Sequence, residues 1–166
     1  KKLEVLIDSA PDILENYPNA KFRIVGEGIH GKWYREYVEK KGLSENFIFE
    51  GYVTQSELIK AYQKCDVFAI PSDTETQGIV TLEAMSCRKP VVGANARGLK
   101  DVVSHETDGY LFQPGNSREL SDYLLTLLSD SEKREKMGKE AREKAKQFSS
   151  EKIGEKWVNF YSSLLD

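Results

Sequence analysis

Two carboxylates bracket a glycine in the stretch Pro71-Ser72-Asp73-Thr74-Glu75-Thr76-Gln77-Gly78-Ile79-Val80-Thr81-Leu82-Glu83. The stretch reads as a buried strand, a polar loop and then a helix begun at Gly78. A helix N-terminus offers unpaired backbone N–H groups and a positive dipole end, which hold phosphate without a basic side chain. Glycine lets such a group come close to the backbone. An ordinary strand-to-helix turn has the same pattern, so the glycine alone does not decide.

Glu83 adds a second signal. Stepping about 100° per residue from Ile79 puts Thr81 at about 200° and Arg88 at about 180°, an expected wet face. Glu83 falls at about 40° on the same wheel, between Ile79 and Cys87, in the apolar arc. An acid there is either ion-paired inside the domain or faces a cleft. In a cleft its two oxygens suit a vicinal diol, such as the hydroxyls of a ribose. Glu75 lies in the loop past a strand's C-terminal end, where α/β sites occur, though a solvated loop carboxylate reads the same way.

Other candidates are weaker. Gly26-Glu27-Gly28 lacks a full glycine-rich nucleotide fingerprint. His30 and His105 show no metal-ligand spacing. Trp33, Tyr34 and Tyr37, with Arg35 and Lys40, read as a helix edge packed on a core or as a contact surface. The Lys/Glu-rich run over 132–146 reads as a solvated helix face.

These residues need elements to position them. Apolar spacing predicts helices over 2–16, 31–41, 56–64 (capped by Thr54 with Glu57), 79–88, 98–103, 117–129, 131–147 and 151–164. Strands are predicted at 22–26, 47–49, 66–70, 90–93 and 109–112, the third and fourth buried on both faces. The alternation gives an α/β class with a largely parallel sheet and ligands beyond the strands' C-terminal ends. The first helix has an apolar stripe and no strand before it, so a first strand is expected upstream of Lys1. The last helix carries Trp157, Phe160, Tyr161 and Leu164 on one stripe, which is expected to be partly exposed.

Composition sets bounds. The chain has 166 residues, 24 Lys+Arg against 27 Asp+Glu, and a formal charge of −3. That balance disfavours duplex nucleic acid as the main partner. The apolar fraction of 39% is enough for a real core. Cys65 and Cys87 read as reduced thiols rather than a disulfide frame.

Taken together, Ile24-Val25-Gly26-Glu27-Gly28, Phe49-Glu50-Gly51-Tyr52-Val53, Asp66-Val67-Phe68, Pro71-Ser72, Glu75, Gly78, Glu83-Ala84-Met85, Lys89-Pro90-Val91-Val92-Gly93 and Asp108-Gly109-Tyr110-Leu111 resemble a known family. It is the C-terminal domain of the GT-B-fold retaining glycosyltransferases, glycosyl transferases group 1. The resemblance implies a Rossmann-like parallel sheet flanked by helices, one half of a GT-B fold. It implies a single nucleotide-sugar-binding domain over 1–166, with helices 131–166 packing around it. The acceptor half would belong to another part of the enzyme, and the domain alone would be inactive.

The resemblance also implies roles. Glu83 would hold the ribose hydroxyls of a UDP-sugar or GDP-sugar. Glu75 would contact the sugar, with the backbone of Thr76, Gln77 and Gly78 positioning it. The N–H groups near Ile79 and Val80 would hold the diphosphate, and Tyr52 and Val53 would lie against the base. Lys1 matches a family lysine that neutralises the diphosphate; the family's partner Arg lies upstream of this stretch. No metal is expected. A hexose would pass to a glycan or lipid hydroxyl with retention, at a cytoplasmic location with peripheral membrane association through the full enzyme.

Four departures bear on loop geometry: Thr76-Gln77-Gly78 for a common Gly-Phe-Gly, Arg88 for a frequent Gly, Arg97-Gly98 for Gly-Gly, and Asp101 for a common Glu. The Thr-Glu-Thr-Gln-Gly form looks like a subgroup that glycosylates diacylglycerol lipids. The alternatives are a nucleotide-sugar epimerase of similar architecture and a non-catalytic nucleotide-binding module.

Overall fold

The first helix, α1 (Leu3–Asn16), joins two apolar cores. Val5, Leu6 and Ile13 enter the larger one; Ile7 and Ala10 enter the smaller. The computed structural model describes residues 1–164. The smaller core lies over β1 (Phe22–Val25) and β2 (Phe47–Gly51), which pair in parallel with Phe22 stacked on Phe47. α2 (Gly31–Lys40) closes it with Val38, Tyr34 and Tyr37, while Trp33 is half exposed.

The larger core surrounds β3 (Phe68–Ile70), β4 (Val91–Ala94) and β5 (Gly109–Phe112), parallel in the order β3-β4-β5. The class is α/β with parallel strands flanked by helices, as expected. The strands form two parallel sheets rather than one: among the described residues no strand hydrogen-bonds to both β1 and β3. The strand expected over 66–70 is also shorter, and Phe68 and Ala69 are only half-buried. Among the described residues β3 pairs on one side only, whereas β4 is paired on both sides and fully buried.

α3 (Gln55–Lys64) starts with the expected capping box, Thr54 with Glu57. α4 (Ile79–Ser86) stops two residues short of Arg88. Arg88 takes φ 60°, its N–H reaches Met85 O, and the Lys89 N–H reaches Ala84 O. These paired bonds around a left-handed residue form a Schellman ending. α5 (Leu99–Val102) and α6 (Ser117–Ser129) follow, the latter capped by Asn116. α7 (Ser131–Lys146) buries Met137, Gly138, Ala141 and Ala145.

α8 (Ser150–Ser162) has no buried residue. Its stripe is open as expected, with Trp157 55% and Tyr161 59% exposed. Among the described residues no helix is long and apolar enough to cross a membrane.

Candidate functional site

The loop between β3 and α4 is shaped by two glycines. Gly78 is the N-cap of α4 at φ 67°, a conformation that strains any residue with a Cβ. Gly98 donates its N–H to Glu75 O at 3.0 Å. A Cβ on Gly98 would stand 2.1 Å from Thr76 O, so α5 supports the loop at a distance only glycine permits.

On this loop the Glu75 carboxylate meets the Lys1 ammonium, Nζ to Oε2, at 2.6 Å. Glu75 is largely covered and Lys1 is open to solvent. The Lys1 ammonium holds the Glu75 carboxyl below the usual carboxylate range against an opposing push from burial. The Gly78 and Gln77 backbone N–H groups act in the same direction as Lys1. The site therefore gathers a cation, a carboxylate and the start of α4. Thr76, Gln77 and Ile79 are exposed and Val80 is half-buried, so the helix N-terminus faces outward.

The helical wheel needs correction. Thr81, expected on the wet face, is fully buried, and Ile79, expected in the apolar arc, is 55% exposed. α4 is apolar nearly all round, and the neighbouring elements β3, β4, α3 and α7 decide which side is covered. Glu83 is half-buried on the flank between these sides. Among the described residues it has no ion-pair partner: its Oε2 accepts a hydrogen bond from the Tyr62 hydroxyl at 2.9 Å. Burial, then the Glu83 carboxylate, push the Tyr62 phenol well above its ordinary value.

Tyr52 and Val53 line an open groove of about 370 Å³ beside Arg23, Glu50, Glu57 and Lys60. Tyr52 is 83% exposed there. Another groove of about 540 Å³, between the end of α1 and α6, contains none of these residues. Lys1, Glu75 and Gly78 are thus brought together. Glu83 sits farther along α4, and Tyr52 and Val53 stand at the loop before α3. His30 and His105 are exposed, and the His105 Nδ1 accepts the Leu111 N–H. Among the described residues no three His, Cys, Asp or Glu side chains are grouped to hold a metal.

Sequence reasoning missed two supports. Tyr62 showed no signal beyond its place on an amphipathic helix. Gly98 showed one, as the second residue of an Arg-Gly pair where Gly-Gly is frequent.

The comparisons agree with this architecture. The family described as glycosyl transferases group 1 matches residues 1–144. The sulfoquinovosyl transferase SQD2 of Arabidopsis thaliana is 38% identical over 151 residues, 89% of this chain and 28% of that protein. An uncharacterized glycosyltransferase, MJ1607, of Methanocaldococcus jannaschii is 33% identical over 167 residues, 100% of this chain and 43% of that protein. The chain thus spans less than half the length of these curated relatives.

A crystal structure of a Staphylococcus aureus TarM mutant, in complex with Fondaparinux, alpha-GlcNAc-glycerol and UDP, superposes with TM-score 0.88 at 29% identity. It covers 96% of this chain and 32% of TarM. HepE of Anabaena, in complex with UDP and glucose, superposes with TM-score 0.86 at 29% identity, covering 98% of this chain and 45% of HepE. The motifs, the fold and the match over most of the length agree, and the chain belongs to the glycosyl transferases group 1 family.

Proposed function

We propose that this chain is the donor-binding part of a retaining glycosyltransferase, one that moves a hexose from a nucleotide-diphospho-sugar to a glycan or lipid hydroxyl. The observation that carries this reading is the Lys1–Glu75 pair seated on the loop that starts α4. It sets a cation, a hydroxyl-accepting carboxylate and free helix N–H groups side by side, as a sugar joined to a diphosphate requires. The UDP and glucose bound by HepE support the donor class.

In this reading the Ile79 and Val80 N–H groups and the Lys1 ammonium take the diphosphate charge, so the phosphates need no metal. Glu75 takes sugar hydroxyls, positioned by the Thr76–Gly78 backbone. Glu83 takes the ribose, and Tyr52 and Val53 flank the base. The acceptor oxygen bonds to the anomeric carbon on the leaving group's face, and the carbon–phosphate-oxygen bond breaks. The nucleoside diphosphate leaves with that electron pair, and the acceptor proton passes to the departing phosphate oxygen. Stabilising the departing charge is where the fixed donors act.

The remainder of the enzyme would supply the acceptor site. It would also supply a strand joining β1 to β3, the position that strand order 3-2-1-4-5-6 leaves between them. The exposed face of α8 would pack against it. Cytoplasmic donor pools fit such a reaction, with the full enzyme resting on a membrane surface when the acceptor is a lipid.

The test is turnover by the full-length protein with a panel of UDP- and GDP-sugars, with the product's anomeric configuration read by NMR. A product of retained configuration, lost in Glu75→Gln, is the expected result. Inverted product overturns the mechanism, and free sugar or an eliminated product favours the epimerase reading.

A further inference from the structure

Tyr62 has no part in the roles above, yet it is the group that holds Glu83. Its hydroxyl donates to Glu83 Oε2 at 2.9 Å. Its side chain is covered, 8% exposed, and its ring meets Phe68 edge-on with centroids 5.6 Å apart. The ring is therefore pinned by core packing, and it pins the carboxylate across from α3 to α4. Glu83 Oε1 accepts no hydrogen bond from the described residues. Because burial and the carboxylate keep the phenol protonated, the hydroxyl stays a donor throughout the neutral range.

A glutamate side chain has three torsions, and fixing them on binding costs conformational entropy. A carboxylate already held by a buried donor avoids most of that cost, which is the benefit of preorganisation. Oε2 keeps a free lone pair beside the one Tyr62 occupies, and both of the lone pairs on Oε1 are available.

We infer that Tyr62 is a positioning residue that orients the Glu83 carboxylate toward the ribose hydroxyls of a nucleoside diphosphate, and so sets the preference for ribose over deoxyribose. This rests on the ribose role proposed for Glu83. It is separable from that role, since a ribose-binding Glu83 does not require Tyr62.

The experiment measures calorimetric dissociation constants of UDP and 2′-deoxy-UDP with full-length protein, its Tyr62→Phe and its Glu83→Gln variants. Hydrogen bonds to a charged group are worth enough for wild type to prefer UDP about tenfold. Tyr62→Phe is expected to bring that ratio to about twofold while weakening 2′-deoxy-UDP far less than UDP, since the deoxy ligand has only the 3′-hydroxyl contact to lose and base and phosphate contacts persist. Tyr62→Met, which fills similar space without a donor, is expected to act alike, and melting curves identify any variant that is not folded.

A wild-type ratio retained in Tyr62→Phe but collapsed in Glu83→Gln overturns the positioning role and leaves the ribose reading intact. A ratio unchanged in Glu83→Gln, or none in wild type, overturns both. A loss of 2′-deoxy-UDP affinity equal to the loss for UDP marks Tyr62 as structural and overturns the inference.

Discussion

Lys1 and Glu75, 74 residues apart in sequence, meet in an ion pair of 2.6 Å at the loop that begins α4. Lys1 is 70% exposed, so screening by solvent limits the pair to below about 1 kcal/mol of stability. Lys1→Ala should therefore leave the melting temperature nearly unchanged. It should lower kcat/KM by about a hundredfold if the ammonium faces developing phosphate charge.

The same pair predicts a pH dependence. A carboxyl held below its ordinary range contributes stability above the unfolded value and loses it as pH falls through the lower, folded value. Donor binding should therefore fail on the acid side only below the usual carboxylate range. Lys1→Ala should move that acid limb to higher pH in a pH–affinity profile.

Tyr62 predicts the opposite limb. Its phenol is pushed above the ordinary tyrosine range by burial and the Glu83 carboxylate, so its contribution is complete below that range and is lost as pH rises through the folded value. Urea unfolding of the wild type should show a loss of stability above about pH 10. Tyr62→Phe should lose about 1–2 kcal/mol at neutral pH and remove that part of the alkaline sensitivity.

Thr81 is fully buried, and its Oγ1 has no hydrogen-bond partner among the described residues. Valine has the same shape without the hydroxyl. Thr81→Val should stabilise the protein by about 1 kcal/mol, with m unchanged in denaturant titration.

Gly98 leaves no room for a methyl group, because Thr76 O occupies the position at 2.1 Å and Thr76 C at 2.6 Å. Gly98→Ala should cost about 1–3 kcal/mol and displace the Glu75–Gln77 loop. Donor affinity should fall along with the melting temperature. A mutant that keeps both would show that the loop yields without consequence.

Arg88 and Arg97, where the resemblance led to an expectation of glycine, both take positive φ, 60° and 44°. An L-residue there is strained by its Cβ. Arg88→Gly should stabilise by about 0.5–1 kcal/mol after the larger unfolded-state entropy of glycine is subtracted. The Arg88 carbonyl packs against Gly138, where a Cβ would stand 2.3 Å away, so the benefit depends on leaving Gly138 unchanged.

Local signals were legible because their partners are close in the chain. Thr54 and Glu57 are three residues apart and form the capping box. Gly78 starts its helix at φ 67°. The Glu83 wheel failed for a physical reason. A helix of apolar residues has no wet side of its own, so its open side is whichever one its neighbours leave uncovered. The strand over 66–70 was overextended because an apolar run does not state whether it is paired on one side or two.

The amino-acid sequence by itself determined the alternation of helices and strands, the glycine at the head of α4, and the family motifs around Glu75 and Glu83. These depend on spacing and on backbone conformation, which act over a few residues. Only the tertiary structure decided that Lys1 reaches Glu75, that Tyr62 holds Glu83, and that Gly98 supports the loop. Those contacts join residues on different elements, and packing of the two cores, not local preference, fixes where such elements meet.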